Sequence, residues 1–253
     1  MTGVTALAGE SLRLRCIEAV VEEGEGFGIL AAELADDGRL DVVVPWVPAW
    51  TARDLVGHLG SVHRWATAIV RAGTTDGPPR GVEPPDDDLL GWYAAGHTSL
   101  VQALREVPPD SPAWHMSPAA PKVAASWARR QAHELAVHRM DLEAAAGAKH
   151  APLDPPLADD GVDELLSIVV PRWAHTAPLV GAETVVAVAN TDTGRQWEIR
   201  VARGAVTIAP SWTRAADATL TGDGTQLLLH LWGRPGNVRV DGDAAAEALL
   251  RGR

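Results

Sequence analysis

The sequence predicts an α+β protein of two domains, a four-helix bundle over residues 1–150 and a small α+β domain over residues 151–253. Three observations support this fold class. Long segments of the first part carry apolar residues at helical offsets of three and four. A proline-rich stretch, "KHAPLDPPLADD", then interrupts the helical pattern. Short runs rich in Val, Ile and Thr follow, with turn residues between them, as in a mainly antiparallel sheet.

Four helices are predicted for the first domain. Thr51 and Asp54 form a capping box at the start of the second helix. Gly147 favours the left-handed conformation that ends the fourth. The acidic, proline-rich segment 74–88 is interpreted as a solvated connection, with a lid over a cleft as the alternative. The predicted helices cover about 9–34, 51–72, 86–107 and 123–146.

The second domain begins with a predicted helix over about 156–175. The segments "GTQLLLHLWG" and "DAAAEALLRG" are two further helices. The predicted strands are short and β-branched, and Gly, Asp and Asn separate them. These strands are "ETVVAVANTD", "RQWEIRVARG", "AVTIAP", "ADATLTGD" and "VRVDGD".

Composition narrows the classes of partner. The chain has 22 Lys and Arg against 33 Asp and Glu, a formal net charge of -11, which argues against nucleic acid or an anionic membrane. We expect a cytoplasmic protein, because there is no signal-peptide pattern and no apolar run of about 18 residues. Cys16 is the single cysteine and lies in an apolar-patterned segment, which favours a packed core thiol over a nucleophile. Thiol chemistry would then need a thiol from another molecule. The oligomeric state is not predicted.

The stretch "QAHELAVHRMDLE" is the main functional signal. It begins like the zinc-protease pattern H-E-x-x-H, but the second histidine comes one residue late. His133 and His138 therefore point about 140° apart on a helix and cannot share a metal on one face. Glu134, His138 and Asp141 do share a face. His133 is expected to point toward solvent or a helix neighbour.

That shared face is the one that a bundle helix buries, because Trp127 lies on it as well. Burying a carboxylate and an imidazole is costly unless they pair with each other, form hydrogen bonds or bind a metal. The side chains expected on the opposite, solvated face are Arg129, Arg139 and Glu143.

The second helix carries a similar anomaly. His58 lies within an apolar stripe that also contains Leu55 and Trp65, whereas His63 is about 140° away and is expected to be exposed. Bundle cores build metal sites from side chains on facing helices. His58, Glu134 and His138 would supply two nitrogens and one oxygen and leave a position open, as catalytic zinc sites do.

The pattern alone leaves other interpretations open. His58 is equally explained as a hydrogen-bonded core histidine, and Glu134 with His138 as a local ion pair. Asp141 is either a partner that fixes the imidazole tautomer or a buried acceptor without a role. Zinc suits the donor set, but so do nickel, iron and cobalt.

Two segments, "PWVPAWTARDLVGHLGSVHRWA" and "ARRQAHELAVHRMDLEAAAG", resemble the signature helices of the mycothiol-dependent maleylpyruvate isomerase family. The tail "ADATLTGDGTQLLLHLWGRPGNVRVDGDAAAEALL" is similar to its second domain. The resemblance implies a DinB-like bundle followed by a sterol-carrier-like domain. It also implies metal binding by His58, Glu134 and His138. A functional arginine is implied at Arg234, for which a surface arginine at a helix end is the alternative.

The resemblance implies an enzyme in which zinc binds the thiolate of mycothiol, an actinobacterial thiol. Such an enzyme would act on a small electrophile as an isomerase or S-transferase, and Arg234 would hold a substrate carboxylate. One alternative is a hydrolase with zinc-bound water, assisted in proton transfer by Asp141 or His133. Another is a module without catalysis, whose second domain binds an apolar ligand.

Overall fold

The computed structural model describes residues 2–174, 183–202, 205–212 and 214–251. It divides into two compact units. The first comprises Met1–Met116 and Pro121–Ala151, and the second comprises Ser117–Ala120 and Pro152–Arg253. Within the described ranges, no helix is both long and apolar enough to cross a membrane.

The first unit is built from the four predicted helices, which confirms the helical part of the fold. The helices are α1 (Thr2–Asp36), α2 (Ala52–Ala72), α3 (Leu89–Glu106) and α4 (Ala124–Ala146). α1 packs along α4, and α2 packs along α3 and against α4. Thr51 and Asp54 form the predicted capping box at the start of α2, and Gly147 ends α4 with a φ of 77°.

Two predictions about exposure are wrong. His63 is 0% exposed, since α2 is covered by α3 as well as by α4, so it has more than one buried face. Arg139 and Glu143 are only 13% and 15% exposed rather than solvated. Arg139 pairs both with Glu143 and with Glu23 of α1, because α1 packs along the side of α4 that was expected to face water.

The second unit is a five-stranded sheet with helices. Its strand order is β3-β2-β1-β4-β5, and every pair is antiparallel except the parallel pair β1–β4, which confirms the mainly antiparallel sheet. The strands are β1 (Thr184–Asn190), β2 (Gln196–Ala202), β3 (Ala205–Ala209), β4 (Ala218–Gly222) and β5 (Arg239–Gly242).

The helices of the second unit match the three predicted segments. The first segment is interrupted by a π-helical turn at Leu165–Val169, and its predicted end at residue 175 lies outside the described residues. The helices are α5 (Pro155–Glu164), α6 (Pro171–Ala174), α7 (Gly224–Leu231) and α8 (Ala244–Ala248).

Candidate metal centre

Three side chains of metal-ligand type converge between α2 and α4. Nε2 of His58 and Nε2 of His138 each lie 3.3 Å from Oε1 of Glu134. One ligand atom from each residue lies within 4.8 Å of the other two. In the part of the chain that the structure describes, no other group of His, Cys, Asp and Glu side chains meets that criterion. We call these three residues the metal cluster.

Local helix geometry places this cluster. Glu134 and His138 are one turn apart on α4, and His58 comes from the facing side of α2. Exposure rises across the cluster, from 5% for the His138 side chain through 16% for Glu134 to 31% for His58. The cluster is therefore most accessible at His58.

Asp141 fixes the orientation of His138. Its Oδ2 lies 2.9 Å from Nδ1 of His138, and the carboxylate is completely buried. A carboxylate only accepts hydrogen bonds, so Nδ1 carries the proton and Nε2 is directed at the cluster. Burial lowers the pKa of His138, but the hydrogen bonds to Asp141 and Glu134 outweigh it and raise the pKa above its ordinary value.

Arg130 holds the second oxygen of Glu134. Its Nη2 donates to Oε2 at 2.9 Å, and the guanidinium side chain is only 4% exposed. Burial raises the pKa of Glu134, but hydrogen bonds from His138 and His58 and the charge of Arg130 hold it well below its ordinary value. Arg130 was not among the predicted site residues, although its spacing of four residues from Glu134 is typical of an ion pair on one helix face.

The donor atoms of the cluster fit a transition metal. With the proton on Nδ1, neutral His138 presents the lone pair of Nε2 to Oε1 of Glu134, which is also an acceptor. Two facing acceptors repel each other unless a proton or a cation lies between them. Two imidazole nitrogens and one carboxylate oxygen are a donor set typical of zinc and its neighbours.

Trp50 was also missed by the sequence analysis. Its ring centroid lies 4.7 Å from that of His58 and 6.1 Å from that of His138. Trp50 lies in the Pro/Trp-rich connection, directly before Thr51, the N-cap residue of α2. This position next to the helix start was the only feature of the sequence that could have indicated a contact with His58. Trp50 covers one side of the cluster.

The remaining predicted site residues lie elsewhere. His133 is 0% exposed and points away from the metal cluster, as its helical position predicts, toward helix neighbours rather than solvent. Arg234 belongs to the second unit and follows α7. Its Nη1 donates to the carbonyl oxygen of Trp232 at 2.9 Å, and its guanidinium carbon lies 5.7 Å from the Trp232 ring centroid.

The fold and the site together define a two-domain α+β protein with a candidate metal centre in its helical bundle. Residues 20–143 match the family model of the mycothiol maleylpyruvate isomerase N-terminal domain, and residues 156–248 match that of the C-terminal domain. The chain therefore belongs to the mycothiol-dependent maleylpyruvate isomerase family, which is a family of enzymes. A search of curated proteins finds no significant match.

Solved structures agree on the fold. The crystal structure of the mycothiol-dependent maleylpyruvate isomerase is similar, with a TM-score of 0.64 and 14% identity over 92% of this chain and 94% of that chain. A histidine-to-alanine variant of that enzyme gives a TM-score of 0.63 and 12% identity over the same shares. At such low identity, the similarity establishes the fold alone.

Proposed function

We propose that this protein is a metal- and thiol-dependent isomerase or S-transferase that acts on a small electrophile. Mycothiol or a similar low-molecular-weight thiol would supply the nucleophile, and zinc is the proposed metal. The observation that carries the proposal is the convergence of His58, Glu134 and His138 on one point, in a chain that belongs to this family. A cytoplasmic location is part of the proposal, because that compartment keeps thiols reduced.

Zinc, when bound, lowers the pKa of a coordinated thiol so that the thiolate forms at neutral pH. The protein's own groups prepare that position. Asp141 keeps the lone pair of His138 Nε2 directed at the cluster, and Arg130 holds Oε2 of Glu134 so that Oε1 faces the two imidazoles. Asp141 is a positioning residue in this scheme, because it is fully buried and touches His138 rather than substrate.

The thiolate adds to an electron-poor double bond. A C–S bond forms, and the electron pair of the double bond moves onto the adjoining carbonyl group. Rotation about the resulting single bond, followed by C–S cleavage, returns the pair and gives the isomer with no net oxidation. Protonation of the adduct instead gives the S-conjugate. The expectation that Arg234 holds a substrate carboxylate stays a prediction.

Elemental analysis of purified protein tests the metal. We expect about one divalent metal per wild-type chain and its loss in His58→Ala. His150→Ala is the matched control, because His150 packs against Trp46 and is not part of the metal cluster. Wild-type protein without metal, together with tight binding of an apolar ligand, would support a non-catalytic module instead.

Turnover of a panel of activated alkenes and epoxides, with and without thiol, tests the reaction. We expect turnover only with thiol and only in protein that contains metal. Turnover of ester or amide substrates without added thiol would support the hydrolase, in which water replaces the thiol as nucleophile.

A further inference from the structure

A cavity of about 630 Å³ adjoins the metal cluster on the α2 side. His58 is the one member of the cluster that lines it and is also the most exposed member, at 31%. The rest of the wall comes from the residues just before α2, from one face of α2 and from the segment 81–84. A molecule in this cavity therefore lies directly beside the candidate metal position.

Two tryptophans form aromatic walls in fixed positions. Trp50 packs against the ring of His58 at 4.7 Å. The indole Nε1 of Trp65 donates to the carbonyl oxygen of Pro79 at 3.0 Å, and its ring packs edge-on against Trp127 at 5.3 Å. Since neighbouring groups hold both indoles, the cavity offers flat apolar surfaces without a cost of ordering them on binding.

The segment 81–84 completes the rim of the cavity. Val82 is 46% exposed, so an apolar ligand in the cavity would remove part of its side chain from water. Pro84 lies close to α2 at Gly57, where an added Cβ would be 3.2 Å from Cγ of the proline. The absence of a side chain at position 57 thus lets Pro84 approach the helix without being displaced.

The charges around the cavity have one sign. Asp54 and Glu83 line it, and no Lys or Arg is among the described residues that do. The backbone N–H and the hydroxyl of Thr51 donate to the Asp54 carboxylate, which lowers the pKa of Asp54 and keeps it ionised. An anionic group bound along these walls would meet two like charges and no Lys or Arg among the described lining residues.

We infer that this cavity receives an uncharged, aromatic or apolar part of the electrophile. The inference rests on the proposed function and names the substrate class of the same site. Maleylpyruvate, named in the similar structures, is a small dicarboxylate and has no such part. The substrates favoured here are aryl- or alkyl-substituted enones and epoxides. Any carboxylate they carry must bind outside this cavity.

Equilibrium binding of two matched probes tests the inference without relying on turnover. The probes are 4-phenyl-3-buten-2-one with a para-carboxamide and the same enone with a para-carboxylate, titrated calorimetrically into metal-loaded protein without thiol. We expect the neutral probe to bind at least about fivefold more tightly. Equal or tighter binding of the carboxylate, or binding of neither probe, overturns the inference.

Two variants locate the probe. Glu83→Lys is expected to strengthen carboxylate binding by about fivefold and thus reduce the preference. Glu33→Lys is the matched control, because Glu33 is exposed on α1 and does not line the cavity. Val82→Ser is expected to weaken binding of the neutral probe by about threefold. If the preference for the neutral probe over the carboxylate probe is the same in Glu83→Lys and in Glu33→Lys, the probe does not bind in this cavity.

The binding and turnover experiments distinguish failure of the inferred substrate class from failure of the proposed function. Protein that contains metal and turns over electrophiles with thiol, but prefers the carboxylate probe, refutes the inference and leaves the proposed function standing. Protein that binds the neutral probe selectively but has no thiol-dependent turnover refutes the proposed function and leaves only the selectivity of the cavity for uncharged groups.

Discussion

The bundle contains two histidine clusters that differ in what surrounds the imidazoles. In the metal cluster, the rings of His58 and His138 face the carboxylate of Glu134. In the second, which we call the aromatic cluster, His63 lies 5.2 Å from Tyr93 and 5.5 Å from His97, measured between ring centroids. Both clusters include α2, and His58 and His63 are only five residues apart.

The aromatic cluster uses backbone acceptors in place of carboxylates. Nε2 of His97 lies 2.8 Å from the carbonyl oxygen of Val20, and the Tyr93 hydroxyl donates to the carbonyl oxygen of Gly24. Neither ring nitrogen of His63 has a hydrogen-bond partner among the described residues. No carboxylate is hydrogen-bonded to the His63 or His97 ring among the described residues, and these imidazoles pack as core residues.

The pKa values follow from these surroundings. Burial, and then the charges of His97 and Arg64, hold the pKa of His63 well below its ordinary value, although Glu134 acts weakly in the opposite direction. His138 is also buried, but its carboxylate partners raise its pKa. The comparison shows that the partners of a buried histidine, rather than its burial, decide whether it is suited to a charged site.

The largest effect is expected for Glu134→Gln. It replaces the anion that both imidazoles face with a neutral amide, and so makes the metal cluster resemble the aromatic cluster. Loss of a group that only hydrogen-bonds to a metal ligand lowers metal affinity by up to about 100-fold. Loss of a ligand itself should lower metal affinity further, and thiol-dependent turnover should fall with it. Metal competition with a chelator measures this, with Glu33→Gln as the control. An unchanged affinity would remove Glu134 from the ligand set.

Asp141→Asn should have the next largest effect. The amide can donate to Nδ1 of His138 and so favours the tautomer with the proton on Nε2, which turns a ligand into a donor. We expect metal affinity to fall by about 10- to 100-fold. The same chelator competition measures it, and circular dichroism checks that the helices are intact. If affinity is retained, Asp141 is a buried acceptor without a role at the metal.

The aromatic cluster should determine part of the pH dependence of stability. Folded His63 stays neutral below its ordinary pKa of about 6.5, whereas unfolded His63 takes up a proton there. Unfolding then binds a proton, so the free energy of unfolding falls as pH drops below about 6.5, by up to about 1.4 kcal/mol per pH unit.

His63→Leu removes that proton and should flatten the slope below pH 6.5. Urea denaturation of wild type and variant from pH 7.5 to 5 measures it. His150→Leu, which replaces a histidine at the partly exposed end of the bundle, is the control. An identical slope in wild type and His63→Leu would show that His63 is not the group that titrates on unfolding.

The smallest effect is expected for Thr51→Ala. The capping box at the start of α2 is lost, which should cost about 1 kcal/mol of stability. The first turns of α2 carry His58, whereas His63 lies a further turn into the helix, so metal affinity should weaken slightly and the aromatic cluster should not change. Thr75→Ala, at an exposed loop position, is the control for the denaturation measurement.

Local sequence was sufficient for several features of this protein. The helix start at Thr51, the helix end at Gly147 and the five strands depend on residues close in the chain, and the structure confirms them. The turn of about 100° per residue also made Glu134 and His138 share a face and separated them from His133. These predictions needed no knowledge of neighbouring elements.

Tertiary structure alone decided the surroundings of those faces. Helical periodicity identifies which residues of one helix share a face, but it does not reveal how many neighbours cover that helix. His63 is therefore buried against α3, and Arg139 pairs with Glu23 of α1. The position of Trp50 over His58 likewise depends on how the chain enters α2. Such contacts join residues far apart in the chain, and local patterns do not encode them.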